Sequence, residues 1–505
     1  MIIDRDQPVL FVIFGATGDL NWRKINPALY NLYLDQWMPK TFAIYGIGRS
    51  RHTDEEMRDK LLEGVNTFSR SGKADANAWN EYAGKITYHS SDINNDKTYT
   101  DLGKYIESLK SKWQQDPVII YYMAVSFEFF TVIAKQLNQH HLADDVKNHR
   151  LVVEKPFGND LESAKSLNDL LCSLFEESQI YRIDHYLGKE TVQNILAFRF
   201  ANSILEPIWN RNYIQHVQIS VTEQLGIGGR GGYYEQAGAL RDMVQNHILQ
   251  LLCLVAMETP INFQADEVRN RKVDVLRSMR PFRPEDIKKN AVRGQYLEGW
   301  IEGQKVPGYR EEDQVDPHSN TETFAAIKFF IDNWRWDGVP FYVRTGKRLH
   351  QTASVISIQF RDVPHMVFPD AAIDNWRQNR LIISIQPEMS IRLQVQAKRP
   401  GLEMVLNTVD LVFNYDGTYG QETPEAYETL LLDTMEGDQT LYMRGDQVEA
   451  AWQILMPILQ SWESKKSIDF PNYSANTWGP EIAEALIAQD GFHWFSLSSS
   501  SQTPK

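Results

Sequence analysis

The chain has 505 residues, 42% of them hydrophobic and 23% charged, with a formal net charge of −14. That length exceeds what one hydrophobic core usually serves, so two domains are expected, with the composition of an ordinary globular protein. The acidic balance, with no long basic tract, argues against a nucleic-acid partner, and no apolar run reaches the roughly 20 residues that span a membrane.

The N-terminal stretch MIIDRDQPVLFVIFGATG has no basic segment ahead of its apolar one, so it reads as a first strand and not a secretion signal. Within it Pro8–Phe14 is apolar, β-branched and aromatic, as a buried strand requires. GATGDL follows, and then Pro27–Trp37, where Leu29, Leu32 and Tyr33 have helical spacing and Pro27 suits a first turn. Thr41–Gly48, Lys85–Ile93, Pro117–Val125 and Arg150–Gly158 read as further strands separated by polar, helix-like segments. Strands alternating with helices predict a parallel, doubly wound, Rossmann-like sheet over residues 1–180.

From about Tyr181 the texture changes. Runs such as HVQISVTEQL, TETFAAIKFFI, VPFYVRTG, SVISIQFRD, RLIISIQPE, SIRLQVQAKRP and TVDLVFNY follow one another, many with only short turns between them. A larger α+β domain over 181–505 is expected, with a mainly antiparallel sheet packed by long helices near Ala237–Met257 and Glu425–Ser464. The final SLSSSSQTPK is expected to be disordered. YRIDHYLGKE, Tyr181–Glu190, sits on the boundary, and clefts between domains are preferred places for sites. The two cysteines, Cys172 and Cys253, lie in helix-like apolar patterns, which speaks for a reducing cytoplasm and against a disulfide framework or a cysteine zinc site.

Gly15 and Gly18 follow a strand and precede a helix, where a doubly wound domain binds a pyrophosphate. The spacing is G-x-x-G, so a plain β–α turn fits the local sequence as well. After the second strand, Arg49, Ser50 and Arg51 stand where an NAD-specific domain has an acid, and they suit a 2′-phosphate. His247 lies four after Met243, three after Val244 and four before Leu251. It therefore shares an apolar helix face, either as a buried, hydrogen-bonded histidine or as a general base. A base would need an orienting carboxylate, for which Asp184 and Asp242 are candidates.

GATGDL, EKPFG, YRIDHYLGKE, FANSILEPIWNR, GRGGYYEQAGALRDMVQNHILQLLCLVAME, WDGVPFYVRTGK and YETLLLD, in this order, resemble the motifs of the glucose-6-phosphate dehydrogenase family. The resemblance implies oxidation of D-glucose 6-phosphate to 6-phosphoglucono-δ-lactone with hydride transfer from C1 to NADP, the first step of the oxidative pentose phosphate pathway. It implies that His247 accepts the C1 hydroxyl proton, paired with Asp184. It places His185, Tyr186 and Lys189 around the substrate phosphate, Glu223 and Asp242 on sugar hydroxyls, Lys155 on both substrate and cofactor, and Lys347 on substrate. The NADP contacts it implies are Gly15, Ala16, Thr17, Gly18, Asp19, Leu20, Arg49 and Asp92. No metal is implied, and a homodimer or homotetramer built on the large sheet is.

Some positions depart from the family pattern. Thr352 stands where a second basic substrate residue is usual, SFEFF replaces a proline-bearing turn after the fourth strand, and Asn21, where Ala or Gly is common, is expected to loosen helix–strand packing. No match to the ligands of a second, structural NADP is visible. Arg182 and Glu190 are read as a structural pair. An enzyme acting on another sugar or sugar phosphate, and a non-catalytic sensor, remain as alternatives.

Overall fold

Val9–Phe14 (β1) is buried at every position, as its uninterrupted apolar sequence requires. Such a strand must be paired on both edges, because no water reaches its backbone. It pairs in parallel with Phe42–Gly48 (β2) on one side and Val118–Met123 (β4) on the other. Ile86–Ser90 (β3), His149–Val153 (β5) and the short Ile180–Arg182 (β6) complete a parallel six-stranded sheet of order β3-β2-β1-β4-β5-β6. This is the doubly wound order with its switch point between β1 and β4. The computed structural model describes residues 5–374, 376–420 and 423–497. The serine-rich tail from residue 498 on and the start of the N-terminal stretch lie outside them.

The chain groups into two compact units. Unit 1 runs to Glu190 and adds Pro260–Asn270 and Glu422–Glu449; unit 2 holds Thr191–Thr259, Arg271–Gln421 and the chain from Ala450. The returning segment of unit 1 carries YETLLLD. Its helix, Ala426–Glu436, ends at Gly437 in the left-handed conformation (φ 82°). The helical run expected over Glu425–Ser464 is therefore two helices, the second being Gly445–Glu463.

Glu428 is the polar anchor of that return. Its carboxylate, 1% exposed, accepts from Asn31 Nδ2 at 2.9 Å and from Arg70 Nε and Nη2 at 2.9 and 2.8 Å. Arg150 donates to the carbonyls of Thr434 and Met435 at the C-terminal end of the same helix, where a cation is favoured. Around the sheet, helix Asp54–Phe68 opens with a capping box: Glu56 N–H to Thr53 Oγ1 at 3.2 Å and Thr53 N–H to Glu56 Oε2 at 2.8 Å. Gly64 within it lets the Trp22 backbone approach, since a Cβ there would lie 2.3 Å from the Trp22 carbonyl oxygen.

In unit 2, Ile214–Thr222 (β7), Ala291–Gly294 (β8), Phe324–Phe329 (β11), Phe341–Gly346 (β12), Ala353–Phe360 (β13), Arg380–Gln386 (β14), Ser390–Lys398 (β15) and Leu406–Asn414 (β16) form an eight-stranded sheet of order β16-β15-β14-β13-β7-β12-β11-β8. Tyr296–Ile301 (β9), Gln304–Val306 (β10) and Tyr473–Ala475 (β17) make a separate small sheet. The large sheet is antiparallel except where β7 pairs with β12. That parallel pair needs a crossover, which the helices between β7 and β8 supply. The short strands β6, β8, β9, β10 and β17 carry no long apolar run that would mark them in the sequence. At the edge, only Leu406 of β16 is buried, and Val409, Leu411 and Val412 are exposed on both faces of the strand. Among the described residues no helix is long and apolar enough to cross a membrane.

Glu428→Ala removes the acceptor of Arg70 and Asn31. Breaking a buried pair costs about 3–5 kcal/mol; the low end applies, because Arg70 is partly exposed and retains Asp35. A fall in urea midpoint corresponding to about 3 kcal/mol is expected, with Glu428→Gln milder; an unchanged midpoint would contradict the anchoring role.

Candidate active site

The chain leaves β1 through Gly15 at φ +83°, a left-handed value. A Cβ there would sit 2.2 Å from the Ala124 carbonyl oxygen, so both conformation and space demand glycine. Gly15 and Ala16 N–H donate to Ile47 O at 2.9 and 3.0 Å, and Gly18 N–H donates to Gly15 O at 2.8 Å. Asn21 does not loosen this turn: buried, it donates from Nδ2 to Ala16 O at 2.7 Å and ties turn to helix. A π-helical segment, Asn21–Ile25, leads into helix Asn26–Leu34. Lys60, which nothing in its sequence surroundings marks, donates to Thr17 O at 2.9 Å and braces the turn from the neighbouring helix.

Asp19 is exposed and paired with Arg23 at 2.6 Å. Arg49 and Arg51 are exposed just beyond β2, and Ser50 O accepts from Tyr88 Oη at 2.6 Å. Asp92 is also exposed beyond β3, but Oδ1 accepts from Asn94 N–H and Nδ2, both at 2.9 Å, in a local turn that leads into helix Asp96–Trp113. SFEFF forms a turn of 3₁₀ helix, Phe127–Phe129, before helix Phe130–Gln139.

The charged decapeptide divides by direction. Tyr181 and Arg182 belong to the edge strand β6, and Ile183 and Leu187 are buried packing residues. Arg182 is fully buried and takes Glu177, not Glu190, as its carboxylate, at 2.6 Å. Glu190 instead starts helix Glu190–Phe200, where an acid is favoured by the helix dipole, although burial raises its carboxyl above the ordinary range. Asp184 is buried, and its Oδ1 accepts from Tyr186 N–H at 3.0 Å, which folds the next residues into a turn. His185 stacks on Tyr427 (centroids 6.3 Å apart, 11° between planes) and lies 5.1 Å from Tyr186. Lys189 Nζ sits 3.9 Å from the Tyr186 ring centroid, a cation–π contact. Gly188 lets the turn meet the returning helix, for a Cβ would lie 2.4 Å from Ala426 O.

Lys155 is half-buried just past β5. Its neighbour Glu154, which no spacing in the sequence singles out, is buried and accepts from Tyr122 Oη at 2.5 Å and Tyr427 Oη at 3.2 Å. Burial pushes the Glu154 carboxyl up, and the two tyrosine hydroxyls pull it back. Unit 1 thus gathers Lys155, Asp184, His185, Tyr186 and Lys189 with Glu154 and Tyr427 beyond the β5 and β6 ends of its sheet. The glycine turn, Arg49 and Asp92 follow β1, β2 and β3.

Unit 2 holds the remaining candidates. Glu223 follows β7, and Lys347, buried just past the neighbouring β12, forms an ion pair with it. Lys347 Nζ also lies 5.6 Å from the Tyr234 ring centroid. Thr352 Oγ1 accepts from Gln224 N–H at 3.0 Å, so this departure serves to tie two strand ends. Tyr233 Oη donates to Asp242 at 3.3 Å. Asp242 and His247 both lie in a π-helical segment, Leu240–Ile248, where all but Arg241 are buried. The helix expected over Ala237–Met257 is therefore three pieces: Gly231–Ala239 kinked at Gly238, the π segment, and Leu249–Ala256. An apolar face at 3.6-residue spacing does not single out His247 here, since almost every side chain around it is enclosed.

FANSILEPIWNR holds the far end of that helix. Arg199 donates to Leu254 O and Met257 O at 2.9 and 2.8 Å, Trp209 Nε1 to Val255 O at 2.8 Å, and Trp336 Nε1 to Ala256 O at 2.7 Å. These donors satisfy the carbonyls a helix C-terminus leaves open, and Arg199 adds favourable charge.

Two family models cover the chain in succession. One, "Glucose-6-phosphate dehydrogenase, NAD binding domain", matches residues 12–194, and the other, "Glucose-6-phosphate dehydrogenase, C-terminal domain", matches 196–495. The chain is 44% identical over 494 residues to a glucose-6-phosphate 1-dehydrogenase of Treponema pallidum, covering 97% of this chain and 96% of the relative. To that of Bacillus subtilis it is 41% identical over 497 residues, covering 98% and 100%. A solved glucose-6-phosphate dehydrogenase in complex with glucose 6-phosphate superposes with a TM-score of 0.89 at 36% identity, covering 98% of this chain and all of that one. A pyridine nucleotide is thus the cofactor, and the turn after β1 carries no side chain at its tightest point, where Gly15 packs against Ala124 O.

Gly15→Ala forces a Cβ against Ala124 O in a left-handed residue. A loss of about 1–3 kcal/mol from strain alone is expected, together with weaker nucleotide binding. The fluorescence of reduced pyridine nucleotide on titration reads the second effect; unaltered affinity would separate the turn from the cofactor.

Proposed function

The chain belongs to the glucose-6-phosphate dehydrogenase family, and from that premise we propose that it oxidises D-glucose 6-phosphate to 6-phosphoglucono-δ-lactone with NADP, opening the oxidative pentose phosphate pathway. The observation that supports this reading most is that the family match runs through both the nucleotide turn and the segment bearing His247, residues 12–495.

His247 takes the proton of the C1 hydroxyl as the C1–O bond becomes a carbonyl, and Asp184 is the carboxylate that orients the imidazole and steadies its charge. A bound pyridine nucleotide would supply the acceptor for the hydride that leaves C1. His185, Tyr186 and Lys189 bind the phosphate dianion; on a chain of net charge −14 only such a local cation cluster can attract it. The Tyr186 ring under Lys189 holds that ammonium in place. Asp242 and Glu223 accept from sugar hydroxyls, and Lys347, held by Glu223, donates to the sugar. Lys155 would touch both substrate and cofactor.

Gly15 to Leu20 would line the pyrophosphate and Arg49 would meet the 2′-phosphate; an exposed arginine beyond β2, where an NAD-specific domain has an acid, supports NADP over NAD. Asp92 has the weakest case among these contacts, since its carboxylate already serves a local turn. The nucleotide domain is taken as 1–180 and the substrate domain as 181–505. The exposed apolar residues of the edge strand β16 support a homodimer or homotetramer, and two free thiols, Cys172 and Cys253, support the cytoplasm.

Initial rates at about 340 nm, where reduced nicotinamide absorbs, test the reading. Phosphate-dependent turnover is expected, with kcat/KM for glucose 6-phosphate far above that for glucose; no turnover would favour a sensor. His247→Asn is expected to lower kcat by about 10²–10⁴-fold with KM little changed. Arg49→Ala is expected to lower kcat/KM for NADP by about tenfold or more, the worth of a charged hydrogen bond, and to leave that for NAD nearly as it was.

A further inference from the structure

Asp242 and His247 are five residues apart. On an α-helix that spacing places two side chains about 140° apart around the axis. A π-helix closes its hydrogen-bonded ring from i to i+5, so the same spacing returns to about the same side. The wide turn of Leu240–Ile248 is thus what brings Asp242 and His247 onto one side of their helix. A π-helix of this length is uncommon and is not the register the peptide would choose alone. Something must set where it begins.

The N-terminal end of the segment shows what does. Gly238 interrupts the preceding helix at φ +63°. The break leaves the next amides without partners in the preceding turn. One residue meets two of them: Glu322 accepts from Ala239 N–H through its main-chain oxygen at 2.9 Å and from Leu240 N–H through Oε1 at 3.0 Å. The carboxylate lies flat against Gly238, where a Cβ would come within 2.4 Å of Oε1 and 2.9 Å of Oε2. Glu322 is buried just ahead of β11, so it is fixed to the large sheet. The C-terminal end of the helix is fixed in its turn by Arg199, Trp209 and Trp336.

We propose that Glu322, seated against Gly238, is a positioning residue that caps the π-helical segment and holds it in the register that sets Asp242 and His247 side by side. The inference rests on the reading of His247 as the base and Asp242 as a substrate-bonding acid. Without the carboxylate, Ala239 keeps the main-chain oxygen but the Leu240 amide must seek another acceptor, the first turn tightens toward α, and His247 rotates relative to Asp242.

The test is steady-state kinetics of the full-length enzyme with thermal melting. Glu322→Ala is expected to lower kcat by about 10²-fold, the effect of a misplacement near 1 Å, with a much smaller change in KM for the nucleotide. Glu322→Gln keeps a carbonyl acceptor for the Leu240 amide and is expected to restore kcat to within roughly threefold of the parent. Glu322→Asp withdraws the acceptor by one methylene while keeping the charge; it is expected to lose kcat although it folds, and it decides the matter if the Ala variant does not fold. A lower melting temperature with unchanged kcat in Glu322→Ala or Glu322→Asp, or a Gln variant as impaired as Ala, overturns the proposal. His247→Asn in parallel separates the two ideas. Near-full activity there removes the base assignment whatever Glu322 does. An inactive His247→Asn beside an unimpaired Glu322→Ala or Glu322→Asp removes the positioning role alone.

Discussion

The architecture of the nucleotide domain follows from one constraint: β1 is wholly buried, so every one of its backbone groups must find a partner in a neighbouring strand. Parallel strands on both edges meet that need, and the chain then turns out of the sheet at the C-terminal end of β1, between strands that run to opposite sides. The space there is set by Ala124 at the end of β4, which is why Gly15 tolerates no Cβ. The amides of Gly15 and Ala16 are already spent on Ile47. Those two donors are therefore not available to a ligand.

Charge is handled locally throughout. Arg199, Arg182 and Glu428 are fully buried, and each is matched by carbonyls or an opposite charge at hydrogen-bond distance. Such pairs add little net stability over well-packed apolar groups, but removing one member is costly, so they specify geometry. Their placement fits that use. Glu428 anchors the returning helix whose Tyr427 stacks on His185, and Arg199 clamps the end of the helix that carries His247.

Long motifs consequently mix two kinds of residue. In YRIDHYLGKE, Ile183 and Leu187 pack, Arg182 pairs with Glu177, and Gly188 admits Ala426, so at least four of its ten residues serve structure. FANSILEPIWNR is a clamp on carbonyl groups, and the glutamate of YETLLLD is an anchor. A motif's density of charge is thus a poor guide to how many of its members meet substrate.

The sequence alone determined the order and type of the long strands, because burial on both faces, in β1 as in β11, β12 and β13, goes with strand-forming runs bounded by turns. The motifs also identified the family. Tertiary structure decided the rest. Short strands such as β6 and β8 exist only because longer neighbours pair with them. Arg182 chose Glu177, and Asp92 bonds its own turn, since hydrogen-bond choice depends on which groups a fold brings close. The register of the helix bearing Asp242 and His247 was not legible either. Its apolar pattern fits a period of 3.6, and the wider turn is held by groups at its two ends: Gly238 with Glu322 before it, and Arg199, Trp209 and Trp336 after it. A local pattern cannot reveal a conformation that is imposed from outside the segment.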